Sequence, residues 1–592
     1  MPDFNPDGIS ATLRVSDTRV AEELFVRVDV VHPHRGDLRL TLVAPDGSSV
    51  VLQVETIDAG DDIHAVYGLD AEPSQPLSAL AGKSAAGTWT LKIVDTIGAD
   101  VGRLVSWGMM FRFAGDEPMA TRGAADSSSR FIPVAGSVAG AFGTKFVSDA
   151  RIANVGTTTA HATMFFTPSG ADGSTTFSAV KLEIPPGEIV ALDDFVASLF
   201  RESGTGAVEL RGETAKLIVT SRIYNRTTIG TYGQFVRVGS ESIGNEPGVT
   251  LHILHLSNGP AFRSNLGVAE VGGGAGTIMV RLIDASGAFI KTEDVTLSPF
   301  GHLQIPLLGG PAGTPSDAFR AEVSVSSGTA RVVAYGSVVD NSSGDAIFVP
   351  GSISSGSQVT PPPNPFVIPA VIRAPGANGT YWRSDVRVLN RSSSLAQHVA
   401  FTFAPADGGE RLTTSIEIPA NGTAGIDDVL HTLFSKVDGR GSLAIDSLDA
   451  SDTRASLVVT SRTWTIGAFG TFGQFIPASS PAFDGLERGL APSSLIHVDS
   501  NSEFRCNVGL TEVSGQGASL RVRLWDATGA ERFVTDVVVP ANANLQFNLA
   551  AAGAPPISNG RLTFEVIEGE GRVLPYASVV DNATGDPIFV SP

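Results

Sequence analysis

At 592 residues the chain exceeds what one hydrophobic core can organise, and about four to six domains are expected at ordinary domain sizes. A formal charge of -20 argues against nucleic acid as a partner, because phosphate binding needs a basic face that displaces counterions. One cysteine, Cys506, excludes an intramolecular disulfide, and no apolar run reaches the roughly 18 to 20 residues that span a bilayer.

With 65 Gly and 35 Pro spread among short Val/Ile/Thr-rich runs, the expected fold class is all-β, built as tandem β-sandwiches with frequent turns. The opening residues MPDFNPDGIS lack both the basic and the apolar region of a signal peptide, while strand-like sequence begins almost at once. The expectation is an extracellular or cell-surface region whose export signal, with any upstream domain, has been removed.

Alternation of period two predicts strands at 24–31, 37–43, 50–54, 88–94 and 106–113. In GDLRLTLVAPDGSSVVL, Leu38, Leu40 and Leu42 face inward, Arg39 and Thr41 face out, and Ala44-Pro45-Asp46-Gly47 supplies the turn. These elements make a first domain, 1–115, and a linker, 116–129, follows. The remainder repeats at a spacing of about 240 residues: VTSRIYN matches VTSRTWT, TYGQFV matches TFGQFI, and YGSVVDNSSGDAIFV matches YASVVDNATGDPIFV. Each copy divides again, giving sandwiches at 130–240, 248–351, 365–478 and 486–592, with a Pro-rich linker at 352–364. In each copy one short helix is expected after an acidic pair, Asp193-Asp194 and Asp427-Asp428, which the reading assigns to capping rather than to acid-base or metal chemistry.

The stretches VRVDVVHPHRGDLRLTLVAPDGSSVVL and AAGTWTLKIVDTIGADVGRLVSWGMMF carry, in order, His32, Gly36-Asp37-Leu38, Gly87-Thr88-Trp89, Asp95, Asp100-x-Gly102 and Ser106-Trp107. This region resembles the P domain, or Homo B domain, found downstream of subtilisin-like catalytic domains in proprotein convertases and secreted bacterial proteases. Residues 55–80 depart from the eukaryotic form, so a bacterial-type member is inferred. The resemblance implies a jelly roll that stabilises an adjoining protease, can bind calcium, and cleaves no peptide itself. The later repeats resemble β-sandwich modules of secreted bacterial proteins, a likeness that implies no activity.

No catalytic residues are identified. Subtilisin-like stretches, a G-x-S-x-G elbow and H-E-x-x-H are all missing, and His252 and His255 in LHILHL lack the spacing and glutamate of zinc proteolysis. Calcium is the cofactor that the acidic loops suit, since it takes several hard oxygen ligands. The candidate ligands are Asp58, Asp61 and Asp62 in DAGDD, Asp95 and Asp100 about a Gly-containing loop, and Asp37 at a strand start. The competing reading has Asp37 and Asp95 bonding turn N–H groups and DAGDD as a solvated loop. Asp340-Asn341 and Asp581-Asn582, each followed by Gly-Asp, read as a turn between the last two strands, with an ion site or partner-binding edge as the alternative. The leading functional expectation is a non-catalytic accessory region of a secreted bacterial protein, partnered with an adjoining serine endopeptidase domain. The alternative is a self-standing extracellular adhesion or binding protein.

Overall fold

Alternation in the sequence becomes pleated strands with one buried face. Along Leu38–Val43, Leu38, Leu40 and Leu42 are fully buried while the residues between them reach solvent, as a side-chain period of two requires. The computed structural model describes residues 5–592 apart from 16, 69–70, 99, 114–121, 126–127, 241–246, 309–315, 354–364, 407 and 450–456. Most of the linkers expected at 116–129 and 352–364 lies outside the described residues. Two compact units result, Met1–Met119 and Ala120–Pro592, and the described residues are nearly all β, with a few short helices.

The first unit packs two antiparallel sheets. One runs in the order Ile9–Val15, Gly87–Asp95, Leu38–Val43, Ser49–Gln53; in the other, Val20–Val31 pairs with Ile63–Tyr67, Arg103–Phe113 and, at its start, Lys83–Ser84. Val26, Val28 and Val30 share a core with Leu40, Leu91, Ile93 and Trp89. The Trp89 indole N–H donates to the Ala85 carbonyl at 2.9 Å, so its polar end is satisfied inside the core. All five expected strands are present, and Ile9–Val15, Ile63–Tyr67 and the two-residue Lys83–Ser84 are three that the alternation did not single out.

The second unit contains four sheet systems, A (130–240), B (250–353), C (366–477) and D (493–590). A and C have one strand order, running in A through Ser178–Ile184, Ala160–Pro168, Gly204–Gly212, Arg130–Ala139, Lys145–Asn154, Leu217–Thr227 and Gly230–Val236. B and D each stack two sheets, and in both a four-stranded sheet carries the VVDN strand: Val332–Asp340 in B and Val573–Asp581 in D. The short helices Phe195–Ser198 and Val429–Phe434 bury Phe195, Val196, Val429 and Leu430. The acidic pairs before them do not cap: Asp194 and Asp428 sit in the left-handed region with no side-chain cap hydrogen bond. Instead Asp193 binds Arg151 at 2.7 Å, Asp427 binds Arg387 at 2.6 Å, and Asp428 meets Arg373. Guanidinium groups on the neighbouring strands, buried in Arg151 and half-buried in Arg387 and Arg373, take these carboxylates in place of the helix ends.

The first module of each copy docks on the second module of the other. At A–D, Thr231 donates through its N–H and hydroxyl to Asp581 Oδ2 at 2.9 and 2.8 Å, and Gly233 N–H donates to Asp586 Oδ2 at 2.7 Å. At C–B the same contacts recur: Thr471 donates to Asp340 Oδ2 at 2.9 and 2.7 Å, and Gly473 N–H to Asp345 Oδ2 at 2.9 Å. The other oxygens of Asp340 and Asp581 accept N–H groups of their own turns. VVDN is therefore both the expected turn and an edge that binds a partner, the partner being another module of the same chain. Thr220 and Thr460 reach His497 and His255 across these interfaces, at 2.9 and 3.3 Å. Both histidines sit at bulges with positive φ, His497 buried and His255 half-buried, and desolvation drives their pKa well below the usual imidazole range.

Candidate functional site

Among the described residues, side chains able to hold a cation gather at one end of the first unit. Val20–Val31 runs out at His32, and the chain crosses His34 and a single 3-10 turn, Arg35–Asp37, before entering Leu38–Val43. Gly36 is buried under the acidic loop: its N–H donates to the Asp58 carbonyl at 3.1 Å, and a Cβ there would collide with that carbonyl. Arg35 N–H donates to the Gly60 carbonyl at 2.8 Å and its guanidinium to Asp58 at 2.8 Å, so the DAGDD loop lies against the turn.

The sequence candidates separate into two groups in this frame. Asp37, Asp100 and His34 each present one ligand atom within 4.8 Å of the others, with His34 Nδ1 at 2.6 Å from Asp100 Oδ2. The other four are placed differently. Asp95 is buried and its Oδ2 lies 3.2 Å from His32 Nε2, with neither side chain exposed. Asp62, in the left-handed region, accepts the His32 N–H at 2.8 Å. Asp58 accepts the Gly60 N–H and the Arg35 guanidinium, which together hold its pKa below the usual carboxylate value. Asp61 is exposed on the same loop. His34 was not among the sequence candidates; the signal for it was the His-Pro-His run at the strand end, which puts its ring beside the strand start at Asp37.

The donor set of the triad fits a hard cation in part. Asp37 and Asp100 supply carboxylate oxygens of the kind calcium takes, whereas His34 offers nitrogen and is already engaged with Asp100. Two carboxylates leave most of the six to eight oxygen positions to carbonyl groups and water. His32 and Asp95, fully enclosed and paired, bind the end of Val20–Val31 to Gly87–Asp95.

With this geometry in place, comparison with known proteins assigns the unit. Residues 21–111 match the proprotein convertase P-domain. Leupeptin-inactivating enzyme 1 of Streptomyces exfoliatus is 32% identical over 113 residues, which are 19% of this chain and 24% of that protein. A calcium-dependent protease of Trichormus variabilis is 35% identical over 98 residues, 16% of this chain and 14% of its own length. The crystal structure of an Aeromonas sobria serine protease with its chaperone aligns over 19% of this chain and 24% of that one, at 19% identity and a TM-score of 0.15. The chain thus spans a quarter or less of the length of these relatives. Among the described residues no helix is long and apolar enough to cross a membrane.

Proposed function

We propose that the chain is a non-catalytic accessory region of a secreted bacterial serine endopeptidase, in which the P domain supports the fold of an adjoining catalytic domain. The observation that carries this reading is the P-domain match over 21–111, together with relatives named as calcium-dependent proteases that match over a stretch of about the same length. The first unit has its own two-sheet core and its own polar end, so it is equipped to act as a separate accessory body. Calcium is the ion this end would take: Asp37 and Asp100 would bind it, the exposed Asp61 sits on the loop packed against their turn, and the bound ion would fix the loop ends. The name of the Trichormus variabilis relative favours the same ion.

Incubating the full chain with casein and a fluorogenic peptide library tests the first half of this reading. No turnover is expected. Cleavage that a serine-directed inactivator abolishes would show a catalytic centre and overturn it.

A further inference from the structure

The two docked pairs differ in the surroundings of one arginine. In A–D, Arg151 is fully engaged: Nη2 binds Asp193 at 2.7 Å, Nη1 donates to the Ala150 carbonyl at 3.0 Å, and Nε donates across the interface to Asn559 Oδ1 at 2.5 Å. Asp499 adds negative charge beside it from the same module as Asn559. In C–B, Arg387 keeps the first two contacts, Asp427 at 2.6 Å and the Val386 carbonyl at 3.1 Å. The third is missing, and among the described residues no acceptor reaches its Nε.

The cause is two substitutions between the copies. Asn559 and Asp499 stand two residues before Arg561 and two after His497; at the matching places before Arg320 and after His255 are Ala318 and Ser257. These shorter side chains leave a cleft of about 370 Å³ between B and C, walled by Arg387, Ser257, Ala318, Arg320, Asp385 and Trp464. A space of this size suits a small ligand. The wall carries several donors that lack an acceptor. Arg320 is 1% exposed, and its Nε, the Nε of Arg462 and the indole N–H of Trp464 are buried without an acceptor. One oxygen of each lining carboxylate is engaged: Asp284 Oδ1 accepts N–H groups of its own turn, Asp385 Oδ1 accepts the Asp428 N–H, and Asp427 Oδ1 pairs with Arg387.

We propose that this cleft binds a small carboxylate-bearing ligand, whose carboxylate occupies the place that Asn559 and Asp499 fill in the sister pair and accepts a hydrogen bond from Arg387 Nε. Guanidinium and carboxylate make strong, directional pairs, and the Trp464 ring offers a flat apolar wall beside them. The protein thus carries in its closed pair a covalently built mimic of the ligand that the open pair takes.

Titration calorimetry on the full chain tests this, with glucuronate and N-acetylglycine as probes and glucose and N-acetylglycinamide as their uncharged counterparts. At least one carboxylate is expected to bind about tenfold or more tightly than its counterpart. A response to glucuronate identifies a sugar acid as the source of the carboxylate; a response to N-acetylglycine identifies a peptide-like acid. The double variant Ser257→Asp/Ala318→Asn, which installs the plug of the closed pair, should keep the wild-type melting midpoint and lose binding by about tenfold or more. Should that variant fail to fold, Arg387→Lys retains the charge opposite Asp427 and is expected to give the same loss. Absence of heat with both carboxylates, or undiminished binding in the variants, overturns the proposal.

Discussion

Replacing Asp581 by alanine removes four hydrogen bonds to one buried carboxylate: Thr231 N–H at 2.9 Å and hydroxyl at 2.8 Å across the A–D interface, and Ala583 and Thr584 N–H at 2.8 and 3.0 Å within its own turn. Asp581 is 5% exposed, so water replaces few of them. A hydrogen bond to a charged group contributes about 1.5–3 kcal/mol, but the four share one acceptor and do not add. Allowing the Thr231 hydroxyl and one turn N–H to find other acceptors, the expected loss is about 3–5 kcal/mol. Urea unfolding of the full chain measures it, read on the transition of Ala120–Pro592. The cross-module share is isolated by a double-mutant cycle with Thr231→Val, for which a coupling of about 1–2 kcal/mol is expected. Asp340 has the same set of partners, Ser342, Ser343 and Thr471, so Asp340→Ala should match Asp581→Ala within about 1 kcal/mol. A loss below about 1 kcal/mol, or a coupling indistinguishable from zero, would refute the docking role assigned to the VVDN turns.

Three further outcomes follow from other features of the structure. Burial pushes the Asp345 carboxyl up to about 8 and raises that of Asp586 well above the usual range, with repulsion from Asp340 adding to the first and from Asp345 to the second. A folded-state pKa above the unfolded value of 3.8 gives stability that is complete below that value and is lost as pH rises to about 8. Asp345→Asn, which can keep an acceptor toward Gly473 N–H, should therefore flatten the fall in stability between pH 4 and 8; an unchanged pH profile would count against a protonated Asp345. Cys506 is fully buried, its thiol pushed up to about 12, so it should resist alkylation until the chain unfolds; Cys506→Ser should cost under about 1 kcal/mol, because Ser264 at the matching place bonds the Ser257 backbone. Saturating calcium should raise the melting midpoint of Met1–Met119 by mass action, and Asp37→Asn/Asp100→Asn should abolish the rise; equal midpoints with calcium and with chelator would remove calcium from the account.

Local pattern carried much of this structure. The alternation of Leu38, Leu40 and Leu42, or of Trp89, Leu91 and Ile93, depends only on neighbours in sequence, and those strands were legible to within a few residues. Ile9–Val15 was not singled out because only one of its faces meets the sheet opposite, and its burial alternates merely between exposed and half-buried. The Asp193-Asp194 pair was misassigned because capping is a local rule, whereas the winning partner, Arg151, comes from a strand 42 residues earlier. Cross-module pairing was hidden for the same reason. Thr231 and Asp581 are 350 residues apart, and repetition of both motifs signalled a shared role without saying which copy meets which. At the candidate cation site, Asp37 and Asp100 were within reach of sequence reasoning, but the engagement of Asp95 with His32 and of Asp58 with Arg35 depends on how the loops close.

The central claim, that the first unit is a P domain serving an adjoining protease, is tested most directly by exchange. In the Trichormus variabilis calcium-dependent protease, the segment matching this chain would be replaced by residues 9–113, and secreted activity compared with that of the parent and of a deletion lacking the segment. Activity restored well above the deletion, toward the parental level, is the expected result. Activity no higher than the deletion, with the chimaera correctly secreted, would contradict the account.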